Sequence, residues 1–220
     1  MEDVVISLGG SLVNPGGIDD SFLHRFSEMV NSLKERYRFI IVVGGGRLAR
    51  DYIEMARKRG ESEYFLDMIG IMATRMNAML VKSYIKNARF STDMRDIFSG
   101  NVVMGGTEPG HTTDAVSMLV AELLGVKSVI NATTVDGIYD RDPKLNPGAR
   151  LIDDISYGDL LSLFYLNSSG AGPNQVLDFL SIKIAERSRI EIRVINGRDI
   201  DNFISAIEGK HFRGTRVHGQ

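Results

Sequence analysis

The sequence contains no cysteine, and only 5 of its 220 residues are proline. The absence of cysteine excludes disulfide bonds and every metal site with thiolate ligands. The chain has 4 histidines, and they are scattered along the sequence rather than clustered as a metal-storage protein would require. Glycine, by contrast, is plentiful, with 23 residues.

The chain also lacks a long apolar run and a strong net charge. No apolar stretch approaches the roughly 20 residues that a helix needs to cross a bilayer. The first residues, Met1-Glu2-Asp3-Val4, are acidic and lead directly into a strand, unlike a signal peptide. The formal net charge of −2 at pH 7 offers no basic surface that would attract nucleic acid. We therefore expect a cytoplasmic protein without membrane or nucleic-acid partners.

Short β-branched runs alternate with longer amphipathic segments along the chain. The spacing predicts strands at 4–8, 39–43, 102–104, 128–130 and 191–195, and a long helix at 62–86. Each predicted strand is followed by a glycine or hydroxyl loop and then by a helix. This order favours an α/β fold, a three-layer αβα sandwich with a mostly parallel central sheet. The whole chain, 1–220, is expected to form a single domain with two lobes on one sheet.

Three glycine-rich loops follow predicted strands, namely Gly9-Gly10-Ser11, Gly44-Gly45-Gly46 and the stretch 104–114 that begins Met-Gly-Gly-Thr. In open α/β sheets, ligands bind beyond the carboxyl ends of the strands. Backbone N–H groups and the positive end of a helix dipole make such a junction a phosphate site. Three loops of this kind predict a polyphosphate site. The Gly-x-x-x-x-Gly-Lys-Ser/Thr loop and the Gly-x-Gly-x-x-Gly fingerprint are both absent. The phosphate groups must therefore be bound by a different arrangement of loops.

The loops 9–11 and 44–50, and the segment 133–139 (Thr-Thr-Val-Asp-Gly-Ile-Tyr) with Asp142-Pro143, resemble the amino acid kinase superfamily. Within it, the segments 67–70 (Asp-Met-Ile-Gly) and 111–114 (His-Thr-Thr-Asp) resemble the uridylate kinase family. The short chain and the Gly-Gly-Thr-x-Pro-Gly-His form of the third loop resemble its archaeal branch. The resemblance covers essentially the whole chain, in order.

This resemblance implies the amino acid kinase fold and transfer of the γ-phosphoryl of ATP to UMP, giving UDP and ADP, in pyrimidine nucleotide biosynthesis. Mg²⁺ would be carried with ATP, and no residue is expected to form a separate metal site. The N-terminal lobe, about 1–125, would bind UMP, and the C-terminal lobe, about 126–220, would bind ATP. The family also implies a homohexamer built as a trimer of dimers.

The same resemblance assigns roles to individual residues. UMP would be held by Gly45, Asp67, Thr107, Glu108, Pro109, Gly110, His111, Thr112 and Thr113. ATP would be held by Gly9, Gly10, Ser11, Gly46, Arg50, Thr133, Thr134, Tyr139 and Asp142. Asp67 would accept hydrogen bonds from the UMP ribose, and Tyr139 would offer an apolar face to adenine. Catalysis would depend on Gly9, Gly10, Asp178 and Lys183.

One position departs from the family pattern. Many relatives carry a lysine in the first strand where this chain has Ser7. Either the positive charge comes from elsewhere or catalysis depends less on a cation. Lys183 is the best candidate for the charge, with Asp178 to orient it. Five residues along a helix are separated by about 140°, so this pair cooperates only if Asp178 caps the helix rather than lying inside it.

Other interpretations remain open from the residues alone. The chain could be another kinase of the superfamily, acting on a carboxylate, a carbamate or an isoprenoid phosphate. It could also be a non-catalytic nucleotide-binding or storage protein on the same fold. Asp67 could be an ordinary charge at a helix end, and Lys183 a solvated surface residue. The methionine-rich helix 62–86 could serve a subunit contact or belong to the core.

Overall fold

The structure, a computed structural model, describes residues 1–143, 145–166 and 176–219. Its described part contains eight strands in one sheet, and the order of the strands differs from their order in the chain. The strands are β1 (Glu2–Leu8), β2 (Tyr37–Val43), β3 (Arg89–Ser91), β4 (Val102–Met104), β5 (Ser128–Thr133), β6 (Asp154–Ser156), β7 (Glu191–Asn196) and β8 (Thr215–His218).

The strand order is β3-β4-β2-β1-β5-β7-β8-β6. The six strands from β3 to β7 in this order run parallel, so their carboxyl ends share one edge of the sheet. Only β8 and β6 run the other way, with β8 antiparallel to β7 and parallel to β6. The expectation of a mostly parallel sheet is therefore confirmed.

Helices cover both faces of this sheet. They are α1 (Gly10–Val13), α2 (Asp20–Leu33), α3 (Gly46–Arg57), α4 (Glu63–Tyr84), α5 (Thr113–Leu124), α6 (Tyr157–Leu166), α7 (Phe179–Ser188) and α8 (Ile200–Ile207). None of these described helices is both long enough and apolar enough to span a membrane.

Alternate residues of the central strands pack into two separate hydrophobic cores, one on each face of the sheet. Ile6 and Leu8 of β1 pack with α1, α2, α8 and the end of α4, where Phe26 and Phe203 are fully buried. Val5 faces the other way, toward α5, α6 and α7. This follows from the two-residue period of a strand, which sends successive side chains to opposite faces. The result is the three-layer αβα sandwich that the sequence predicts.

The five strands predicted from the sequence all form, although most extend one to three residues further. β3, β6 and β8 were not predicted. Each has only three or four residues, and β3 lies in an irregular stretch without period-two alternation. The long predicted helix forms as α4, capped by Ser62, whose side chain accepts a hydrogen bond from the backbone N–H of Phe65 at 3.3 Å.

Candidate active site

The loops after β1 and β2 lie in direct backbone contact. A Cβ atom on Gly10 would lie 2.1 Å from the backbone nitrogen of Gly46 and 2.4 Å from the carbonyl oxygen of Gly44. Gly46 has φ +61°, in the left-handed region that favours glycine. Within the described residues, the N–H groups of Gly10, Gly45 and Gly46 have no acceptor. The helices α1 and α3 therefore begin side by side, and each begins with backbone amides that have no partner in the described residues.

Gly9 has a different part in this arrangement from the one expected. Its backbone N–H donates to the carbonyl oxygen of Ala132 at 2.8 Å. A Cβ atom there would lie 2.9 Å from the same oxygen. The amide of Gly9 is therefore already satisfied within the protein in this structure. Gly9 instead lets the β1 loop pack against the end of β5.

The third loop runs from β4 into α5 and is held from below by α4. The hydroxyl of Thr74 accepts a hydrogen bond from the N–H of Gly106 at 2.7 Å. The carboxylate of Asp67 accepts one from the N–H of Gly110 at 2.8 Å. Thr107 is buried, and its hydroxyl oxygen has no hydrogen-bond partner in the described residues. Asp67 thus lies at the loop that was expected to bind UMP.

The N-termini of α5 and α7 meet at this same edge of the sheet. Thr112 caps α5, because its hydroxyl accepts a hydrogen bond from the N–H of Ala115 at 3.0 Å. Asp178 caps α7 by accepting one from the N–H of Ser181 at 3.0 Å. The hydroxyl of Thr112 also donates to the carboxylate of Asp178. Asp178 therefore occupies the capping position that the sequence argument required.

Lys183 does not meet Asp178. Its Nζ atom lies 2.5 Å from a carboxylate oxygen of Glu186, three residues further along α7, and its side chain is 47% exposed. Both oxygens of Asp178 are engaged by Ser181 and Thr112 instead. In this structure Asp178 therefore caps α7 without contacting Lys183.

Asp114, in the first turn of α5, forms a small polar centre with the first and fifth strands. Its Oδ1 atom accepts hydrogen bonds from the hydroxyl of Ser7 at 2.6 Å and from the side-chain amide of Asn131 at 2.8 Å. Burial raises the pKa of Asp114 to about 6, and the nearby charge of Asp178 acts in the same direction. The two hydrogen bonds oppose this shift. No cation of the described residues lies within ion-pair distance of Asp114.

The residues expected at the ATP side follow β1, β2 and β5. Arg50 of α3 reaches back toward the β1 loop, where it donates to the hydroxyl of Ser11 at 3.3 Å. Thr133 ends β5, and its carbonyl oxygen accepts a hydrogen bond from Gly197 after β7 at 2.9 Å. Tyr139 pairs with Leu151 in an isolated antiparallel bridge. Thr134, which follows Thr133 directly, is exposed, and Asp142 is partly buried.

Four polar residues of this region were not assigned a role from the sequence, namely Arg75, Asn77, Asp114 and Asn131. Asn77 is 4% exposed and donates to the carbonyl oxygens of Gly44 and Gly45 at 2.9 and 3.1 Å. A polar residue at a core position of an otherwise apolar helix or strand is the signal that could have revealed them.

The fold and the loops can now be compared with known proteins. The model of the amino acid kinase family matches residues 3–102 and 94–196. The chain belongs to the amino acid kinase family. The resemblance drawn from the glycine loops is therefore confirmed.

Its relatives within the family are uridylate kinases of archaea. The chain is 43% identical over 215 residues to the uridylate kinase of Thermoplasma acidophilum, covering 94% of this chain and 93% of the relative. It is 39% identical over 222 residues to that of Pyrococcus abyssi, covering 97% and 98%. The crystal structure of uridylate kinase from Archaeoglobus fulgidus superposes with a TM-score of 0.84 at 40% identity, covering 99% of this chain and all of that one.

Proposed function

We propose that this member of the amino acid kinase family is a UMP kinase, which transfers the γ-phosphoryl group of ATP to UMP and produces UDP and ADP. The observation that carries the proposal is the shared edge of the sheet. There the amides of Gly10, Gly45 and Gly46 have no acceptor in the described residues, and Asp67 holds the third loop at Gly110. The archaeal relatives named uridylate kinase support UMP as the acceptor.

Phosphoryl transfer needs little covalent chemistry from the protein. It needs the two phosphates in line and the charge on the transferred group neutralised. The amides of Gly10, Gly45 and Gly46 would donate to the reacting phosphates, and Arg50 beside Ser11 would add a positive charge. The UMP phosphate is already ionised near neutral pH, so no strong general base is required. Lys183 stays a candidate for a second cation if it leaves Glu186.

The acceptor and the donor would occupy the two halves of the edge. In the N-terminal lobe, about 1–125, the second oxygen of Asp67 would accept hydrogen bonds from the ribose of UMP. The segment 107–113 would surround the phosphate. In the C-terminal lobe, about 126–220, Tyr139 would lie against adenine, with Thr133, Thr134 and Asp142 around the nucleoside. This assignment follows the family and agrees with the position of these residues beyond their strands.

A Mg²⁺ ion carried with ATP fits the residues at the centre of this edge. Asp114 and Asp178 are two carboxylates close enough for the charge of one to raise the pKa of the other, and neither has a cationic partner in the described residues. Carboxylates and substrate phosphates are the ligands that Mg²⁺ prefers. When bound, the ion would neutralise charge on the phosphates. The described residues hold no cluster of three or more metal-ligating side chains, so Mg²⁺ would rely on the nucleotide for its other ligands.

A panel of acceptors with Mg·ATP tests the proposed function. ADP release is measured with UMP, CMP and dUMP, and with isopentenyl phosphate, acetylglutamate and carbamate as acceptors of other kinases in the family. We expect UMP to be phosphorylated fastest. Isopentenyl phosphate or acetylglutamate reacting as fast as UMP would reject the assignment. Binding of ATP and UMP without turnover would favour the non-catalytic alternative.

We also propose that the chain assembles as a homohexamer, a trimer of dimers, in the cytoplasm. An apolar surface on α3 and α4 supports self-association, because large hydrophobic side chains there are 36–67% exposed: Tyr52, Met55, Tyr64, Phe65, Met68, Met72, Met76 and Met79. These methionines are not core residues, so a subunit contact is the better interpretation. Sedimentation equilibrium of the wild type and of a Met72→Glu/Met76→Glu variant tests this proposal, and a monomeric wild type would refute it.

A further inference from the structure

The third loop is fixed by an arginine of α4 that was not expected at the site. The Nε atom of Arg75 donates to the carbonyl oxygen of Gly106 at 3.1 Å. One of its terminal nitrogens donates to the carbonyl oxygen of Thr107, also at 3.1 Å. A Cβ atom on Gly105 would lie 2.7 Å from the backbone nitrogen of Arg75, so loop and helix are in close contact. The planar guanidinium thus bonds two successive carbonyl groups of the loop.

Arg75 has no carboxylate partner among the described residues. Of the arginines in the chain, it alone combines partial burial with the absence of a carboxylate within ion-pair distance among the described residues. The other unpaired arginines are exposed to solvent. Withdrawing a cation from water without a counter-ion is unfavourable, and carbonyl dipoles compensate only part of the charge. Such a group is well suited to an anion that arrives with a ligand.

The surroundings of Arg75 favour a phosphate as that anion. The loop that it holds leads into the N-terminus of α5, where backbone amides and the helix dipole favour negative charge. Guanidinium groups bind phosphate oxygens through charge-assisted hydrogen bonds, and Arg75 retains N–H donors that the two carbonyls do not use. The carboxylate of Asp67 accepts a hydrogen bond from Gly110, further along the same loop. A phosphate bound near Arg75 would therefore leave Asp67 for the ribose of the same ligand.

We propose that Arg75 binds the phosphate of the nucleoside monophosphate acceptor and, through the same guanidinium, positions the loop 105–107 around it. The inference rests on the proposed function, since it assumes that the acceptor occupies this loop. In this proposal, α4 supplies the positive charge at the acceptor phosphate. Ser7 of β1 carries no charge, and Lys183 of α7 is paired with Glu186.

The test compares a phosphorylated ligand with its unphosphorylated counterpart. Calorimetry measures the affinity for UMP and for uridine in the wild type and in Arg75→Met and Arg75→Lys. Lys82→Met, at the equivalent face of α4 two turns further on, is the matched control. We expect Arg75→Met to weaken UMP binding about ten- to a hundredfold while uridine binding changes less than about twofold. Arg75→Lys, which retains the charge, should recover part of the loss, and Lys82→Met should resemble the wild type.

Two results would overturn the inference. Unchanged UMP affinity in Arg75→Met would show that no phosphate contact exists. An equal loss for UMP and uridine would show that Arg75 only supports the loop. Thermal unfolding shows whether each variant is folded. If Arg75→Met does not fold, the ratio of UMP affinity to uridine affinity is measured in Arg75→Lys instead. A ratio equal to that of the wild type would then contradict the inference. Because binding needs no turnover, a wild type that fails to phosphorylate UMP would contradict the proposed function without deciding the role of Arg75.

Discussion

Ser7 of β1 donates a hydrogen bond to Asp114 of α5, with 2.6 Å between Oγ and Oδ1. This bond links the centre of the sheet to the first turn of the helix that follows the third loop. The serine hydroxyl donates to the carboxylate but cannot neutralise it, and no cation among the described residues lies within ion-pair distance of Asp114.

Ser7→Ala removes one of the two donors to Asp114. Hydrogen bonds to charged groups contribute about 1.5–3 kcal/mol, and we expect the free energy of unfolding in urea to fall by about that amount. Ser27→Ala is the control, because Ser27 is also buried but bonds only a carbonyl of its own helix. An equal loss of unfolding free energy in both variants would show that the bond between Ser7 and Asp114 contributes no more to stability than the bond that Ser27 forms within its helix.

Gly10→Ala places a methyl group where the first two loops touch. The new Cβ atom would lie 2.1 Å from the backbone of Gly46, and backbone atoms there cannot move aside without separating the loops. We expect a loss of stability on the order of 1–3 kcal/mol and weakened ATP binding. Gly16→Ala, at a position with open space around it, is the matched control in urea unfolding. A Gly10→Ala variant as stable as Gly16→Ala would contradict the close contact of the loops.

Asp67→Asn keeps the shape of the side chain at the third loop but removes its charge. We expect UMP binding to weaken about ten- to a hundredfold, because charge-assisted hydrogen bonds to the ribose are lost, while ATP binding changes little. Calorimetry with each nucleotide measures both affinities. Glu63→Gln, in the first turn of the same helix, should bind like the wild type. Unchanged UMP affinity in Asp67→Asn would refute the ribose contact.

Lys183→Ala tests whether α7 contributes a cation to catalysis. We expect kcat to fall about tenfold or more, with little change in UMP binding, if Lys183 leaves Glu186 to approach the phosphates. Lys58→Ala is the control, since Lys58 forms a similar exposed pair with Glu54 on α3. A normal kcat in Lys183→Ala would mean that Lys183 is a surface residue and that the positive charge comes from other groups.

The pair of His218 and Asp154 joins the two strands at the edge of the sheet. The hydrogen bond to Asp154 and that to the carbonyl of Gly219 raise the pKa of His218 above its usual value of about 6.5. A raised pKa means that the stabilisation is complete below the unfolded pKa and is lost as the pH rises through the folded value. We expect the free energy of unfolding in urea to fall by less than about 1 kcal/mol as the pH rises above about 6.5. His218→Gln should remove this pH dependence and His211→Gln should not, and an unchanged profile in His218→Gln would contradict the pairing.

The sequence was sufficient to predict five of the six strands that run parallel from β3 to β7, and the glycine loops that follow β1, β2 and β4. Continuous β-branched runs such as 39–43 have one plausible structure, and glycine at 9–10 and 44–46 marks close backbone contact. The contacts of Arg75 and Asp114 were not predictable in the same way. Their partners lie 17 to 107 residues away in the chain, and only the packing of α4 and α5 on the sheet brings them together. The exposure of the methionines of α4 likewise depends on which face that packing covers.

The account depends most on the convergence of the three loops around two phosphate groups. A crystal structure with UMP and a non-hydrolysable ATP analogue tests this directly. We predict that the phosphates of both ligands lie between the amides of Gly10, Gly45 and Gly46, with the UMP phosphate on the side of the loop 105–107. Nucleotides bound elsewhere, or held with their phosphates turned away from this edge of the sheet, would contradict the account.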